Sequence, residues 1–186
     1  KLCFEGPEEE LVLTENNQPA IHTTSIAISK VIETYGIKGE VTAGFSLGQY
    51  SALVYAGALK FEDTVKLVKI RGRLMQDAVP FGKGKMVWII GLSREEVKRI
   101  VKDSEHIGHI EVSNYNSPGQ YIVAGYNDPV IYARELALSR GAKAADYVRV
   151  SGPFHTELLY YAGIKLGELL DDIEINNLKI EYVDNV

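Results

Sequence analysis

Apolar and polar positions recur along this chain with periods that change several times, and each change marks an element. Residues 1–16 are polar and mixed, the pattern of a loop carrying a short helix. Asn17-Gln18-Pro19 reads as a helix start with Pro19 in the first turn. Apolar residues then return at Ile21, Ile28, Ile32 and Tyr35, helical spacing that Gly36 ends. Val41–Phe45 reads as a short buried strand, followed by a helix to about Tyr55 that Gly57 closes. A third helix is expected from about Glu62 to Ala78, stopped by Pro80, Gly82 and Gly84.

The middle of the chain changes character. Lys85–Leu92 has the composition of a strand, and Ser93-Arg94-Glu95-Glu96 is a capping box opening a helix to about Lys102. His109–Ser113 and Gln120–Gly125 read as strands joined by the turn-rich loop Asn114–Gly119. Asn127-Asp128-Pro129 opens another helix that Gly141 ends, and Ala144–Val150 is a strand. The order β-α-β-β-α-β is the ferredoxin-like pattern. Residues 84–148 therefore read as a small subdomain inserted into a larger α/β body, made of 1–83 and 149–186. That body resumes with a helix near Glu157–Leu170 and a strand near Ile180–Val183.

Composition narrows the function. At 186 residues and 46% hydrophobic content, the chain is an ordinary globular domain. A net charge of −5 leaves no basic excess for nucleic acid. No apolar run approaches the ~20 residues that span a bilayer, so no membrane partner is expected. The one cysteine, Cys3, allows no internal disulfide and reads as a structural residue; a reducing cytoplasm suits this. No signal peptide is legible, and the chain does not open with Met, so its start says little about targeting.

The first chemical signal is Gly44-Phe45-Ser46-Leu47-Gly48, set between the expected strand and helix. This is the sequence form of a nucleophile elbow, in which a sharp turn lifts the serine hydroxyl to a helix N-terminus. A serine hydroxyl needs a base. Of four histidines, His22 reads as a solvated or packed helix residue, and His106 and His109 as residues flanking a turn. His155 stands apart in Val150-Ser151-Gly152-Pro153-Phe154-His155-Thr156, a loop after a strand, where α/β folds place reactive groups.

Four motifs carry a resemblance. Gly44-Phe45-Ser46-Leu47-Gly48-Gln49-Tyr50-Ser51-Ala52-Leu53, Arg71-Gly72-Arg73-Leu74-Met75-Gln76, Asn114-Tyr115-Asn116-Ser117-Pro118-Gly119-Gln120 and Gly152-Pro153-Phe154-His155 occur in register. Together they resemble the malonyl-CoA:acyl carrier protein transacylases of bacterial fatty acid synthesis; acyltransferase domains of polyketide synthases are similar. The resemblance implies a hydrolase-like parallel-sheet body with a ferredoxin-like insert. It implies Ser46 as nucleophile, His155 as base, and the Leu47 backbone N–H as an oxyanion donor. Asp184-Asn185-Val186 looks like the family's Asn motif, which makes Asn185 the residue expected to orient the imidazole. Arg71 is expected to grip the malonyl carboxylate bidentately; by helical position alone it would read as a solvated arginine. Gln18, Met75, Gln120 and Phe154 match pocket-lining positions, and Phe154 beside the base would favour malonyl over methylmalonyl.

The implied partners are malonyl-CoA and acyl carrier protein, which brings the phosphopantetheine; no cofactor or metal of its own is expected, and a monomer is. Lys66, Lys69, Arg73, Lys83 and Lys85 are candidates for a basic docking patch on an acidic carrier. The chain departs from the family in four respects. Phe45 stands where a His is usual, Gln49 where a Glu is, and Thr156 where a Ser is. The family's opening strand and Gly-Gln-Gly loop, and its segment beyond the Asn motif, have no counterpart, so these residues read as the middle of a longer protein. A serine hydrolase on the same elbow is the alternative; it predicts a triad carboxylate.

Overall fold

The computed structural model describes residues 1–185; Val186, the last residue of the expected Asn motif, lies outside them. The chain divides into two compact units, Lys1–Leu74 with Lys165–Val186, and Met75–Ile164.

In the first unit, short helices α1 (Leu2–Glu5) and α2 (Glu8–Val12) precede the long α3 (Thr14–Thr34). The helix begins three residues before the expected Asn17. The backbone N–H groups of Asn16 and Asn17 donate to the Leu13 carbonyl at 2.9 and 2.8 Å, closing a first turn ahead of Pro19. Pro19 therefore sits inside the helix and leaves the Glu15 carbonyl without its usual i+4 donor. Strand β1 (Val41–Ala43) is shorter and more exposed than expected; only Thr42 is partly covered. It pairs in parallel with β6 (Glu181–Val183), Val41 opposite Glu181 and Ala43 opposite Val183. Helix α4 (Gly48–Tyr55) follows the turn after β1, and Gly57, at φ 80°, ends it as expected. Helix α5 (Phe61–Asp77) then carries the chain towards the second unit.

The packing among α3, α4 and α5 is partly polar. His22 of α3 is fully buried, its Nδ1 2.8 Å from Ser51 Oγ of α4 and its Nε2 2.8 Å from Thr64 Oγ1 of α5. Thr64 Oγ1 donates to the Lys60 or Phe61 carbonyl, so it accepts from His22, which fixes the Nε2–H tautomer. The ring also stacks on Phe61 at 5.4 Å between centroids. Of the two alternatives the sequence left for His22, it is the packed one.

The second unit is built from β2 (Gly84–Ile90), α6 (Arg94–Ser104), β3 (Ile110–Ser117), β4 (Gln120–Tyr126), α7 (Asn127–Ser139) and β5 (Ala144–Tyr147). The four strands form one antiparallel sheet in the order β3-β4-β2-β5. The strand period of two sorts the side chains. Val87 and Ile89 of β2 and Tyr121 and Val123 of β4 join Val97, Ile100 and Val130 of α6 and α7 in one core. Met86 and Ala124 point to the other face, where they meet Met75 and Phe154. Ser93 caps α6 as the sequence predicts, its Oγ accepting from the Glu96 N–H at 3.1 Å.

One expected loop is largely strand. Pairing of β3 with β4 runs to Ser117 opposite Gln120, leaving Pro118-Gly119 as a two-residue turn with Gly119 at φ 82°. Register shifts at Val112/Asn114 and Tyr115/Ser117 absorb the turn-forming residues as bulges. The segment after His155 starts as a 3₁₀ turn (Glu157–Leu159) and continues as α8 (Tyr160–Leu170). Among the described residues, no helix is long and apolar enough to cross a membrane.

Candidate active site

Ser46 sits in the left-handed region at φ 50°, between β1 and α4. A β-carbon is disfavoured there, so the turn must be held by its neighbours. Gly44 makes the turn possible. A Cβ on Gly44 would lie 2.2 Å from the Gly48 carbonyl carbon and oxygen, closer than any real contact. Gly48 is different: a Cβ there meets nothing within 4 Å. Of the two glycines that define the motif, only the first is required by close backbone approach. Leu47 follows at φ −57°, ψ −37°, so its N–H belongs to the helix-opening donors that no intrahelical acceptor can use.

The parallel register of β1 and β6 brings the ends of both strands to one place. The Asp184-Asn185 pair therefore lands on the elbow. Asn185 Oδ1 accepts from the Ser46 N–H at 3.4 Å and from Gln49 Nε2, and Gln49 Nε2 also donates to Asp184 Oδ1 at 2.9 Å. Both lone pairs of Asn185 Oδ1 are thus engaged by the elbow.

Arg71 reaches the same serine from α5. Gly72, the next residue, lets α5 approach the start of α3, since a Cβ there would be 2.4 Å from the Thr14 carbonyl oxygen. This places Arg71 against Gln18, one turn further along α3. Arg71 Nη1 donates to Gln18 Oε1 at 2.6 Å and Nη2 donates to Ser46 Oγ at 3.0 Å. Arg71 is 9% exposed, and its guanidinium carbon lies 5.7 Å from the Tyr50 ring centroid. Burial lowers its pKa and raises that of the Tyr50 phenol; an arginine remains a cation even so. Among the described residues its hydrogen-bond acceptors are neutral. A buried cation with neutral neighbours is set up to receive an anion.

In the second unit, His155 also has positive φ, 61°. Among the described residues, Ser46 and His155 are the two non-glycine positions with this backbone. The side chain of His155 is exposed, and the loop around it is fixed. Gly84 leaves room for Pro153, whose Cδ would be 2.4 Å from a Cβ at position 84. Phe154 is buried with Met75, Met86 and Ala124, and Thr156 Oγ1 donates to the Pro153 carbonyl at 2.8 Å.

Ser46, Arg71, Gln18 and Asn185 thus come together in the first unit, and Met75 and Phe154 in the second. Gln120 does not join Met75 and Phe154; it is exposed at the hairpin tip, at the far end of β4 from Ala124. Lys66, Lys69, Arg73 and Lys83 are exposed, while Lys85 is half-buried with Nζ 5.3 Å from the Tyr147 ring centroid. Tyr50 and the Gln49–Asp184 contact escaped the sequence reading. Tyr50 stands one helical turn after Ser46, a spacing that puts it on the same side of the elbow. No local signal announces Gln49–Asp184, which depends on a strand pairing between distant segments.

A family model for the acyl transferase domain matches residues 2–186. The chain is 46% identical over 186 residues to the malonyl CoA-acyl carrier protein transacylase of Bacillus subtilis, covering 100% of this chain and 59% of that protein. It is 44% identical to the transacylase of the same name from Haemophilus influenzae, covering 60% of it. Among solved structures, the malonyl CoA-acyl carrier protein transacylase of Coxiella burnetii superposes with a TM-score of 0.95 at 41% identity. This chain is covered completely in that match, and 59% of the other chain is. A malonyl-transacylase solved in complex with a type II polyketide acyl-carrier protein gives a TM-score of 0.94 at 42% identity, over 100% of this chain and 60% of that one. The chain thus spans about 60% of the length of the relatives it matches.

Proposed function

Because this chain belongs to the acyl transferase domain family, we propose that it moves a malonyl group from coenzyme A to the phosphopantetheine thiol of an acyl carrier protein. The names of its relatives support this choice of substrate and acceptor. The observation that carries it is Arg71, a buried guanidinium 3.0 Å from the Ser46 hydroxyl. Malonyl differs from acetyl by a free carboxylate, and a guanidinium can bind that group through two parallel hydrogen bonds.

In the proposed cycle, Ser46 Oγ attacks the thioester carbonyl carbon while His155 takes the hydroxyl proton. The Leu47 N–H stabilises the negative charge on the carbonyl oxygen. The carbon–sulfur bond breaks, and His155 returns the proton to the coenzyme A sulfur. The carrier's thiol then gives its proton to His155 and attacks the malonyl-serine ester, and Ser46 leaves with that proton. Gln18 holds Arg71 in place. Met75 and Phe154 line the acyl pocket, with Phe154 limiting the α-substituent; Gln120 would contribute only from the hairpin tip. Asn185 orients the imidazole, and the two hydrogen bonds its Oδ1 accepts support a second role in holding the elbow.

We read residues 84–148 as a ferredoxin-like insert in a hydrolase-like body of 1–83 and 149–186. The strand order β3-β4-β2-β5 and the parallel β1–β6 pair support that division. A cytoplasmic enzyme acting as a monomer is the corresponding setting.

The test is direct. Incubation with malonyl-CoA followed by peptide mass spectrometry is expected to find a malonyl adduct on Ser46, discharged by acyl carrier protein whose phosphopantetheine thiol is free, and absent in Ser46→Ala. A parent chain that never acquires the adduct would sink the proposal.

A further inference from the structure

His155 is held in an unfavourable backbone conformation, with packed residues before it and a 3₁₀ turn after it. Upstream, Pro153 and Phe154 are fixed by packing. Downstream, the 3₁₀ turn Glu157–Leu159 has no cap of its own: its N-cap residue, Thr156, makes no side-chain capping bond and donates instead to the Pro153 carbonyl. The missing acceptor comes from another element. Glu111, in β3, places Oε1 2.8 Å from the Glu157 N–H. The same oxygen receives His109 Nε2 at 2.5 Å. A carboxylate at the start of a helical turn meets the orphan N–H groups and the positive end of the peptide dipoles together. His109 lies two residues before Glu111 at the mouth of the same strand, and its ring is braced edge-on by Tyr126 of β4 at 6.5 Å. The link runs from a rigid antiparallel sheet, through one carboxylate, to the second residue after His155.

We propose that Glu111 is a positioning residue for His155, and that His109 orients the Glu111 carboxylate for that task. The inference rests on His155 being the base of the proposed transfer. Glu111 touches no reacting atom. It fixes where the imidazole-bearing loop leaves the strained residue, and a displacement of about 1 Å at a reacting group can cost roughly 100-fold in rate.

The discriminating pair is Glu111→Ala and Glu111→Gln in the full chain. Alanine removes the acceptor; glutamine keeps an oxygen that accepts from the Glu157 N–H. Two readouts are taken, kcat and KM for malonyl-CoA, and amide hydrogen exchange of the 153–159 segment. In Glu111→Ala, kcat is expected to fall about 10- to 100-fold with KM within two-fold, and exchange at 153–159 to rise. Glu111→Gln is expected to stay within a few-fold of the parent on both. A purely structural role would lower the melting temperature of Glu111→Ala and move KM with kcat. The proposal is overturned if Glu111→Ala leaves either kcat or exchange at the parent value, or if the glutamine variant falls as far as the alanine one. Should the parent chain show no Ser46 acylation, the function proposed above fails; exchange alone then decides whether Glu111 holds the loop.

Discussion

Gly44→Ala and Gly48→Ala form a matched pair, because the same added methyl meets very different surroundings. At position 44 the new Cβ would sit 2.2 Å from the Gly48 carbonyl and 2.3 Å from Gln49 N. All of these are backbone atoms, so no side chain can swing aside, and the approach is more than about 1 Å inside ordinary van der Waals distance. Relief requires β1 and the first turn of α4 to separate. Overpacking of this kind costs about 1–3 kcal/mol, and disturbing a turn whose Ser46 already carries left-handed strain adds a similar amount. A loss of about 3 kcal/mol is expected, equivalent to roughly 6–12 °C in melting temperature for a chain of this size. Ser46 acylation should fall about 100-fold as the hydroxyl moves. At position 48 the methyl enters open space in a helical backbone, where alanine is favoured over glycine by up to about 1 kcal/mol. Urea unfolding and thermal melts of the two variants, with the rate of adduct formation on Ser46, measure both. Equal stability losses at the two positions, or a Gly44→Ala variant with parental stability and rate, would refute the steric account.

Arg71→Ala should lower kcat/KM for malonyl-CoA by about 30-fold or more, the equivalent of a charge-assisted hydrogen bond of ~2 kcal/mol. Arg71→Lys should recover only part of this, because a lysine cannot reproduce the planar fork. An unchanged malonyl-to-acetyl preference in Arg71→Ala would remove the carboxylate role. His22→Leu should cost about 1–3 kcal/mol by stranding the Ser51 hydroxyl and removing the donor to Thr64 Oγ1, seen as a lower urea midpoint. Burial lowers the His22 pKa, so the unfolded chain takes up the proton first. The stabilisation His22 gives is therefore complete above its unfolded value of about 6.5 and is lost as pH falls below it. Between pH 7.5 and 5.5 the parent should lose more stability than His22→Leu, and equal pH slopes would contradict this.

The second unit was readable because its strands obey a period of two over apolar stretches. Val87 and Ile89 against Met86 divide cleanly between faces, and Ser93 announces its helix. The sequence misled where local propensity and long-range pairing disagree. Asn114–Ser117 has turn-forming residues, yet β4 holds it as strand by placing bulges where they fall. Pro19 signals a helix start, yet the turn at Leu13–Asn17 forms ahead of it. The same division applies to the site. Ser46 and Arg71 are marked by motifs that can be read locally. Asn185 could be named from its motif, but its hydrogen bond to the elbow follows from strand register. Nothing local to Glu111 hints that it caps a turn 46 residues away.

The parallel pairing of β1 with β6 also sets an order of events in the cell. The Ser46–Asn185 tie closes across 139 residues of sequence, so it belongs to the contacts that form late and slow folding. At synthesis rates of about 5–20 residues per second, Ser46 precedes Asn185 from the ribosome by roughly 7–28 s. Throughout that interval the nascent elbow lacks the acceptor for its serine N–H. The geometry of the nucleophile is therefore completed only after nearly all of this sequence has been made.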